Sequence, residues 1–383
     1  MLMLPFFKLM AEKKASDIFF TTNAAPQIKI DGVTQSINDK PLPAEVVKQL
    51  AYSLMDEEEI ARFETELEMN FGRRVEGLGN YRINIFRQRG TVAMVVRHIA
   101  PKIPSLADLK LPEGLQTLIT NKRGLIIVVG ATGSGKSSTV AALLQQRNET
   151  QTGHILTVED PIEFIFEHNK SIVNQREIGL DTHSYESALK NAMREAPDVL
   201  MIGEIRDAET MRHAINYAQS GHLSISTLHA NNSYHMLNRV ISFFPTDTRS
   251  ALLMDLSVSL RAVISQRLVS TVDGKLIPAV ELLINTPHIT ELIRNGEVNQ
   301  IKEAIENSMS EGSQTFEQSL FKLYKQGKIT LDEALKNADS PTNLYWLINH
   351  GQEKTDAKKQ ADHKPAAAKT APSANFDDFK LDL

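Results

Sequence analysis

Apolar and polar positions change rhythm along the chain. Up to about residue 98 the apolar positions come in short runs, Asp17 to Thr21, Gln27 to Ile30 and Val33 to Ile37, with Asp31-Gly32 between the last two as a hairpin turn. Met1 to Met10, running into Ala11-Glu12-Lys13-Lys14, reads as an amphipathic helix ahead of them. Ala44 to Met55 and Glu57 to Glu66 read as two more helices, and Tyr81 to Arg87 and Val92 to His98 as strands around the Arg89-Gly90 turn. Together these describe a small α/β unit. The two prolines of Ala100-Pro101-Lys102-Ile103-Pro104-Ser105 favour extended backbone and mark a linker and hinge.

After the linker, apolar strands and amphipathic helices alternate. Leu125 to Val129, His154 to Glu159, Val199 to Ile202 and Leu223 to Ser226 read as strands, and Ser138 to Gln146, Tyr185 to Glu195 and Ala208 to Gln219 as helices. That alternation predicts a parallel sheet covered on both faces. From Asn231 to Asn349 the pattern is mainly helical, interrupted by a strand at Ile277 to Ile284. The end, rich in Lys, Ala, Asp and Pro, has too few large apolar residues to offset its chain entropy and reads as a disordered tail. The expected divisions are 1–99, a linker at 100–108, 109–285, 286–349 and the tail at 350–383.

Composition narrows the class. A hydrophobic share of 42% in 383 residues supports real cores in two or three domains. The 42 Lys and Arg spread among 47 Asp and Glu leave a net charge of −5, so no whole-chain basic field holds nucleic acid, and no such partner is expected. The absence of cysteine excludes disulfides, a thiol nucleophile and Cys-ligated zinc, and agrees with a reducing cytoplasm. Met1 to Met10 lacks the flanks of a signal peptide, and no run approaches the roughly 20 apolar residues of a transmembrane segment, so membrane association is expected to be peripheral.

The chemistry centres on Gly130-Ala131-Thr132-Gly133-Ser134-Gly135-Lys136-Ser137, which fits GxxxxGK[ST] between a strand and a helix. Glycines there let backbone N–H groups turn around phosphates at a helix N-terminus. Lys136 supplies a point charge, and the Ser137 hydroxyl a ligand for Mg²⁺. Three polar clusters follow three apolar strands, at the rim where parallel sheets bind ligands: Glu159-Asp160-Pro161-Ile162-Glu163, Gly203-Glu204 after Asp198 to Ile202, and the segment His222 to His229, whose imidazoles bracket a strand. A carboxylate in such a site orients or deprotonates the water that attacks the γ-phosphate.

With this loop, the segments Thr157-Val158-Glu159-Asp160-Pro161-Ile162-Glu163-Phe164, Gly203-Glu204-Ile205-Arg206-Asp207 and Gly221 to Asn231 resemble the secretion and type IV pilus ATPases of the PilT/VirB11 class. Ala15-Ser16-Asp17-Ile18 and Ile30-Asp31-Gly32 look like that class's N-terminal domain. The resemblance covers residues 1 to about 349. It implies an α/β fold in which a PAS-like N-terminal domain is hinged to a RecA-like P-loop ATPase domain with a mainly helical C-terminal extension, assembled as a homohexamer. It implies ATP and Mg²⁺ held by Gly130, Ala131, Thr132, Gly133, Ser134, Gly135, Lys136, Ser137 and Ser138, with Arg82 and Arg97 reaching phosphates across a domain or subunit boundary. Glu163 matches the catalytic glutamate, Glu204 the Walker B glutamate that holds the metal through water, and His222 and His229 the histidine box. Gly203 stands where most NTPases carry an Asp, which is itself a habit of the class.

Within the class the retraction branch fits best, and in it the PilU-like accessory group. The retraction motif Ala-Ile-Arg-Asn-Leu-Ile-Arg-Glu is matched by His288 to Asn295, where only Ile289, Leu292, Ile293 and Arg294 survive. Extension and type II secretion members usually carry a tetracysteine metal site, which a chain without cysteine cannot build. The resemblance implies a cytoplasmic motor assisting pilus retraction and twitching motility, peripheral at the pilus base. Its partners would be a PilT-like retraction ATPase and the inner-membrane pilus platform protein. The alternatives are a non-hydrolytic coupling subunit docked on a PilT ring and a nucleic-acid motor.

Overall fold

The architecture was read from a computed structural model that describes residues 2–30, 32–99, 102–310 and 312–350. Asp31 of the hairpin turn, the first two linker residues and tail residues 351–383 lie outside the described residues. The chain forms two compact units, Met1–Thr315 and the residues from Phe316 onward.

The first unit contains two sheets. One is built from β1 (Asp17–Phe20), β2 (Gln27–Ile30), β3 (Val33–Ser36), β4 (Glu68–Val75), β5 (Gly79–Gln88) and β6 (Thr91–Ile99) in the order β3-β2-β1-β6-β5-β4, antiparallel throughout. The helix Leu4–Lys13 covers it with Phe7 and Met10, and the helices Ala44–Tyr52 and Glu57–Glu66 add Val47, Leu50 and Phe63 to the same core. Asp56 begins the last of these with a capping box, its side chain accepting from the Glu59 N–H. The sequence pattern does not mark β4 as a strand. Its Met69, Phe71 and Val75 alternate inward, but Arg73 interrupts that series beside Gly72 and masks the period.

The second sheet comprises β7 (Gly124–Val129), β8 (Gly153–Glu159), β9 (Ser171–Glu177), β10 (Val199–Ile202), β11 (Leu223–Leu228), β12 (Leu260–Ser270) and β13 (Leu276–Ile284), in the order β13-β12-β7-β11-β10-β8-β9. All pairs are parallel except β12 with β13, so the sheet is mixed where a parallel one was expected. The reason lies in β12. The helix Arg249–Ser259 passes into this strand at Leu260 with no glycine or proline to announce the change, so the apolar run reads as continued helix. β9 was also not expected, being a polar edge strand with Ile172 exposed.

Each face of the second sheet carries its own core, which follows from the period of two along β7. Leu125, Ile127 and Val129 join one cluster, with helices such as Tyr185–Ala192, Ala208–Gln219 and Ser233–Ser242. Ile126 and Val128 join the other, with the helices Leu115–Ile119 and Lys136–Thr150. A strand buried on both faces by helices is what its unbroken apolar run requires. The fold is therefore α/β, an N-terminal domain on an antiparallel sheet followed by a mixed sheet covered by helices on both faces and by C-terminal helices. In the second unit, helices span Phe316–Lys325 and Leu331–Asn337, and Thr330 caps the latter by accepting from the Glu333 N–H. No helix of the described residues is long and apolar enough to cross a membrane.

Candidate active site

Because β7, β8, β10 and β11 run parallel, their C-terminal ends meet at one edge, and the segments that follow them build one cavity of about 230 Å³. The first is the loop from Gly130 into the helix Lys136–Thr150. Gly133 and Gly135 adopt φ of +78° and +88°, a region that residues with a Cβ avoid. Gly135 is the N-cap and no side chain caps this helix, which leaves its leading N–H groups and positive dipole end for an anion. Lys136 is buried and donates from Nζ to the carbonyls of Gly130 at 2.9 Å and Ala131 at 3.0 Å. Burial pulls its pKa below the ordinary lysine range, opposed by the carboxylates of Glu204 and Glu163. The Ser134 hydroxyl is buried without a partner. An uncapped helix start and a buried ammonium beside it fit a polyphosphate.

Thr132, Gly133, Lys136 and Ser137 line the cavity, and Ser138 follows in the first helical turn behind them. The opposite wall is acidic: Glu159 ends β8, Asp160 and Glu163 come from the segment after it, and Glu204 from the segment after β10. Against these carboxylates the lining supplies Lys136 as its one permanent cation among the described residues. A wall of this charge, with Ser137 beside it, suits a hydrated divalent cation carrying a phosphate. Glu163 is exposed to the cavity mouth, while Glu159 is buried and accepts from Thr157 Oγ1 at 2.7 Å and Gln175 Nε2 at 3.2 Å. Burial pushes the Glu159 carboxyl pKa up despite these donors.

Glu204 is held from two sides. Arg206 donates from Nε to Glu204 Oε2 at 2.9 Å and bridges on to Asp160 Oδ2 at 3.2 Å, and His229 Nε2 lies 3.3 Å from Glu204 Oε1. Burial, with Lys136 nearby, pulls the His229 pKa below the ordinary histidine range, so the ring is neutral at pH 7. The absence of an Asp at Gly203 has a steric cause. A Cβ there would stand 2.8 Å from the Tyr185 hydroxyl and 3.2 Å from Glu159 Cα and the Val158 carbonyl.

The two histidines do not share this site. His229 lines the cavity, whereas His222 precedes β11 at the opposite edge of the sheet, where its ring lies tilted against Tyr217 at 4.9 Å between centroids and its Nδ1 lies 3.0 Å from Ser220 Oγ. Six strand residues at roughly 3.3 Å each hold the two imidazoles about 20 Å apart within one chain, so His229 and not His222 lines this chain's cavity.

The arginines also differ. Arg82 is half-buried on β5, and its guanidinium feels the carboxylates of Glu177, Asp160 and Glu163, which oppose the lowering of its pKa by burial. Arg97 pairs with the buried Asp17, Nε to Oδ1 at 2.7 Å, and does not line the cavity. Sequence reading assigned no role to Arg206, although it lies inside the quoted motif, or to Tyr185. It also passed over Gln266, which contacts the loop from β12; a buried amide in an apolar strand was the available signal.

Fold and site together define a P-loop ATPase. The chain belongs to the Type II/IV secretion system protein family, whose model matches residues 4–364. It is 47% identical over 357 residues to the type IV pilus ATPase PilU of Pseudomonas aeruginosa, covering 93% of this chain and 92% of that one. It is 39% identical over 334 residues to the pilus retraction ATPase PilT of the same organism, covering 87% and 97%. Among solved structures, that of the pilus retraction motor PilT with bound ADP superposes with a TM-score of 0.83 at 40% identity, covering 89% of this chain and 98% of that one.

Proposed function

We propose that this protein is a hexameric, ATP-hydrolysing motor that assists type IV pilus retraction from the cytoplasmic side of the membrane. The observation that carries the reading is the convergence of the Gly130–Ser137 loop, Glu163, Glu204 and His229 on one cavity. The similarity to PilU and PilT supports the pilus assignment. In this reading ATP lies in the loop with its phosphates on the N–H groups of Gly133 to Ser138 and on Lys136. Mg²⁺, when bound, neutralises charge on the β- and γ-phosphates. Ser137 would hold it directly and Glu204 through water. Glu163 takes the proton of the attacking water, while Arg206 and His229 hold Glu204 in place.

The acidic wall calls for cations from elsewhere. Arg82 and Arg97 are the candidates, reaching phosphate on their own chain or on a neighbour in the ring as the interface closes. The N-terminal domain to residue 99, the linker 100–108, the ATPase core 109–285, the helical region 286–349 and the tail from 350 are then the moving parts, with rotation about residues 100–105 following nucleotide state. The partners are other copies of this chain, a PilT-like ATPase and the platform protein at the pilus base.

A second reading, a coupling subunit whose own hydrolysis is dispensable, is favoured by the helix Pro287–Asn295, where half of the retraction motif is replaced. Twitching by cells carrying Lys136→Ala, with and without an active PilT-like partner, separates the two. Lost motility in the partner's presence supports the motor, and full motility overturns it in favour of coupling.

A further inference from the structure

We propose that Gln266 is a positioning residue for nucleotide binding, one side-chain amide that aims a phosphate-loop N–H at the nucleotide. The inference rests on the ATPase reading of the same cavity. A loop that turns N–H groups towards a phosphate turns carbonyls away from it, and carbonyls directed into protein need donors. In a trans peptide unit the carbonyl of one residue and the N–H of the next point in opposite directions. Pinning the Ser134 carbonyl outward therefore aims the Gly135 N–H inward.

Gln266 provides that pin. It lies on β12, one residue beyond the pairing of Ser265 with Val129, the last residue of β7 before the loop. Its side chain is buried, and Nε2 donates to the Ser134 carbonyl at 2.8 Å. Oε1 accepts from Thr139 Oγ1 at 2.6 Å, and Thr139 is itself fully buried in the helix that follows the loop. The Ser134 carbonyl, which can only accept, fixes which end of the amide faces it, and the Thr139 hydroxyl then donates to the oxygen at the other end. Contact extends along the loop: a Cβ at Gly135 would stand 2.7 Å from Gln266 Nε2, and one at Gly130 would collide with the Gln266 carbonyl. One glutamine from a distant strand therefore touches the loop at Gly130, Ser134 and Gly135.

The test compares ADP affinity and ATP steady-state kinetics of the full chain for wild type, Gln266→Met, Gln266→Glu and Thr139→Val, with melting curves for each. A neutral carboxylic acid has one O–H donor and one acceptor and reproduces the amide's two bonds, whereas a carboxylate has no donor for the Ser134 carbonyl. The expected result for Gln266→Glu is ADP binding at least about tenfold weaker than wild type near pH 8, recovering towards wild type near pH 5.5 as the carboxyl takes its proton. Gln266→Met is expected to be weak at both pH values, with KM rising more than kcat falls. Thr139→Val, which keeps the amide but leaves its buried oxygen without the Thr139 donor, is expected to weaken binding about threefold. ADP affinity within twofold of wild type in all three variants overturns the proposal, even if their melting temperatures drop. A Gln266→Glu loss with no recovery on acidification overturns it too, because a packing defect does not titrate. Failure of wild type to bind ADP more tightly than Lys136→Ala would instead remove the ATPase reading beneath it.

Discussion

Gly203→Ala adds one methyl group beside Glu204, and the structure sets its cost. The new Cβ would lie 2.8 Å from the Tyr185 hydroxyl and 3.2 Å from Glu159 Cα and the Val158 carbonyl, all inside ordinary contact distances. The hydroxyl sits at the end of a side chain that can yield. The backbone of Val158 and Glu159 cannot, since Gly203 N–H donates to the Val158 carbonyl at 2.8 Å and Thr227 Oγ1 holds the Gly203 carbonyl at 2.6 Å. Overpacking of this kind costs about 1–3 kcal/mol. At about 2–4 °C per kcal/mol for a domain of this size, the melting temperature falls by roughly 2–12 °C. Displacement of Glu204 by a few tenths of an ångström adds a loss of turnover of about tenfold. Gly203→Asp, which restores the common NTPase pattern, is worse because it adds a carboxylate beside Glu159 and Glu204. Melting curves and ATPase rates are the assay, with Tyr185→Phe combined with Gly203→Ala expected to recover about 0.5–1 kcal/mol of the loss. A Gly203→Ala protein with unchanged melting temperature and turnover would refute the steric account of the missing Asp.

Three further outcomes follow from the site. Burial raises the Glu159 pKa, so its proton is held more tightly in the native than in the unfolded chain. That stability is present below the unfolded carboxylate pKa and lost as pH rises through the raised value; the melting temperature of Glu159→Gln relative to wild type should therefore climb as pH rises above the ordinary carboxylate range. For His229 the sign is opposite. Its lowered pKa means the unfolded ring binds a proton that the native ring refuses, so stability falls as pH drops below about 6.5, and His229→Gln should flatten that part of a melting-temperature profile. In hydrolysis assays His229→Gln should slow turnover about tenfold or more through Glu204, while His222→Ala, at the other edge of the sheet, should slow the nucleotide step less; equal losses would mean that a neighbouring chain brings His222 to the site.

Much of the fold was legible because its signals are local. The Gly130–Ser137 loop, the apolar β7 before it and the helix after it lie within one stretch of sequence, and the alternation that follows implies a common edge for Glu163, Glu204 and His229. His222 lies apart from them in the single chain, because residues bracketing one strand end on opposite edges. Non-local features were invisible. β12 looked like helix until its pairing with β7 and β13 was known. Gln266 reaches the loop across 132 residues, and the obstruction at Gly203 comes from the Val158 and Glu159 backbone of the neighbouring strand, with Tyr185 beside it. Arg206 was in view, but its bridge between Glu204 and Asp160 depends on the side-by-side placement of β8 and β10.

The central claim, that this cavity hydrolyses ATP with Glu163 as base, is tested most directly by single-turnover phosphate release with Mg·ATP for wild type and Glu163→Gln, with nucleotide affinity measured alongside. The exposed position of Glu163 at the cavity mouth predicts that the variant binds ATP within about threefold of wild type and releases phosphate about 10²–10⁴-fold more slowly. Phosphate release by Glu163→Gln at the wild-type rate would contradict it.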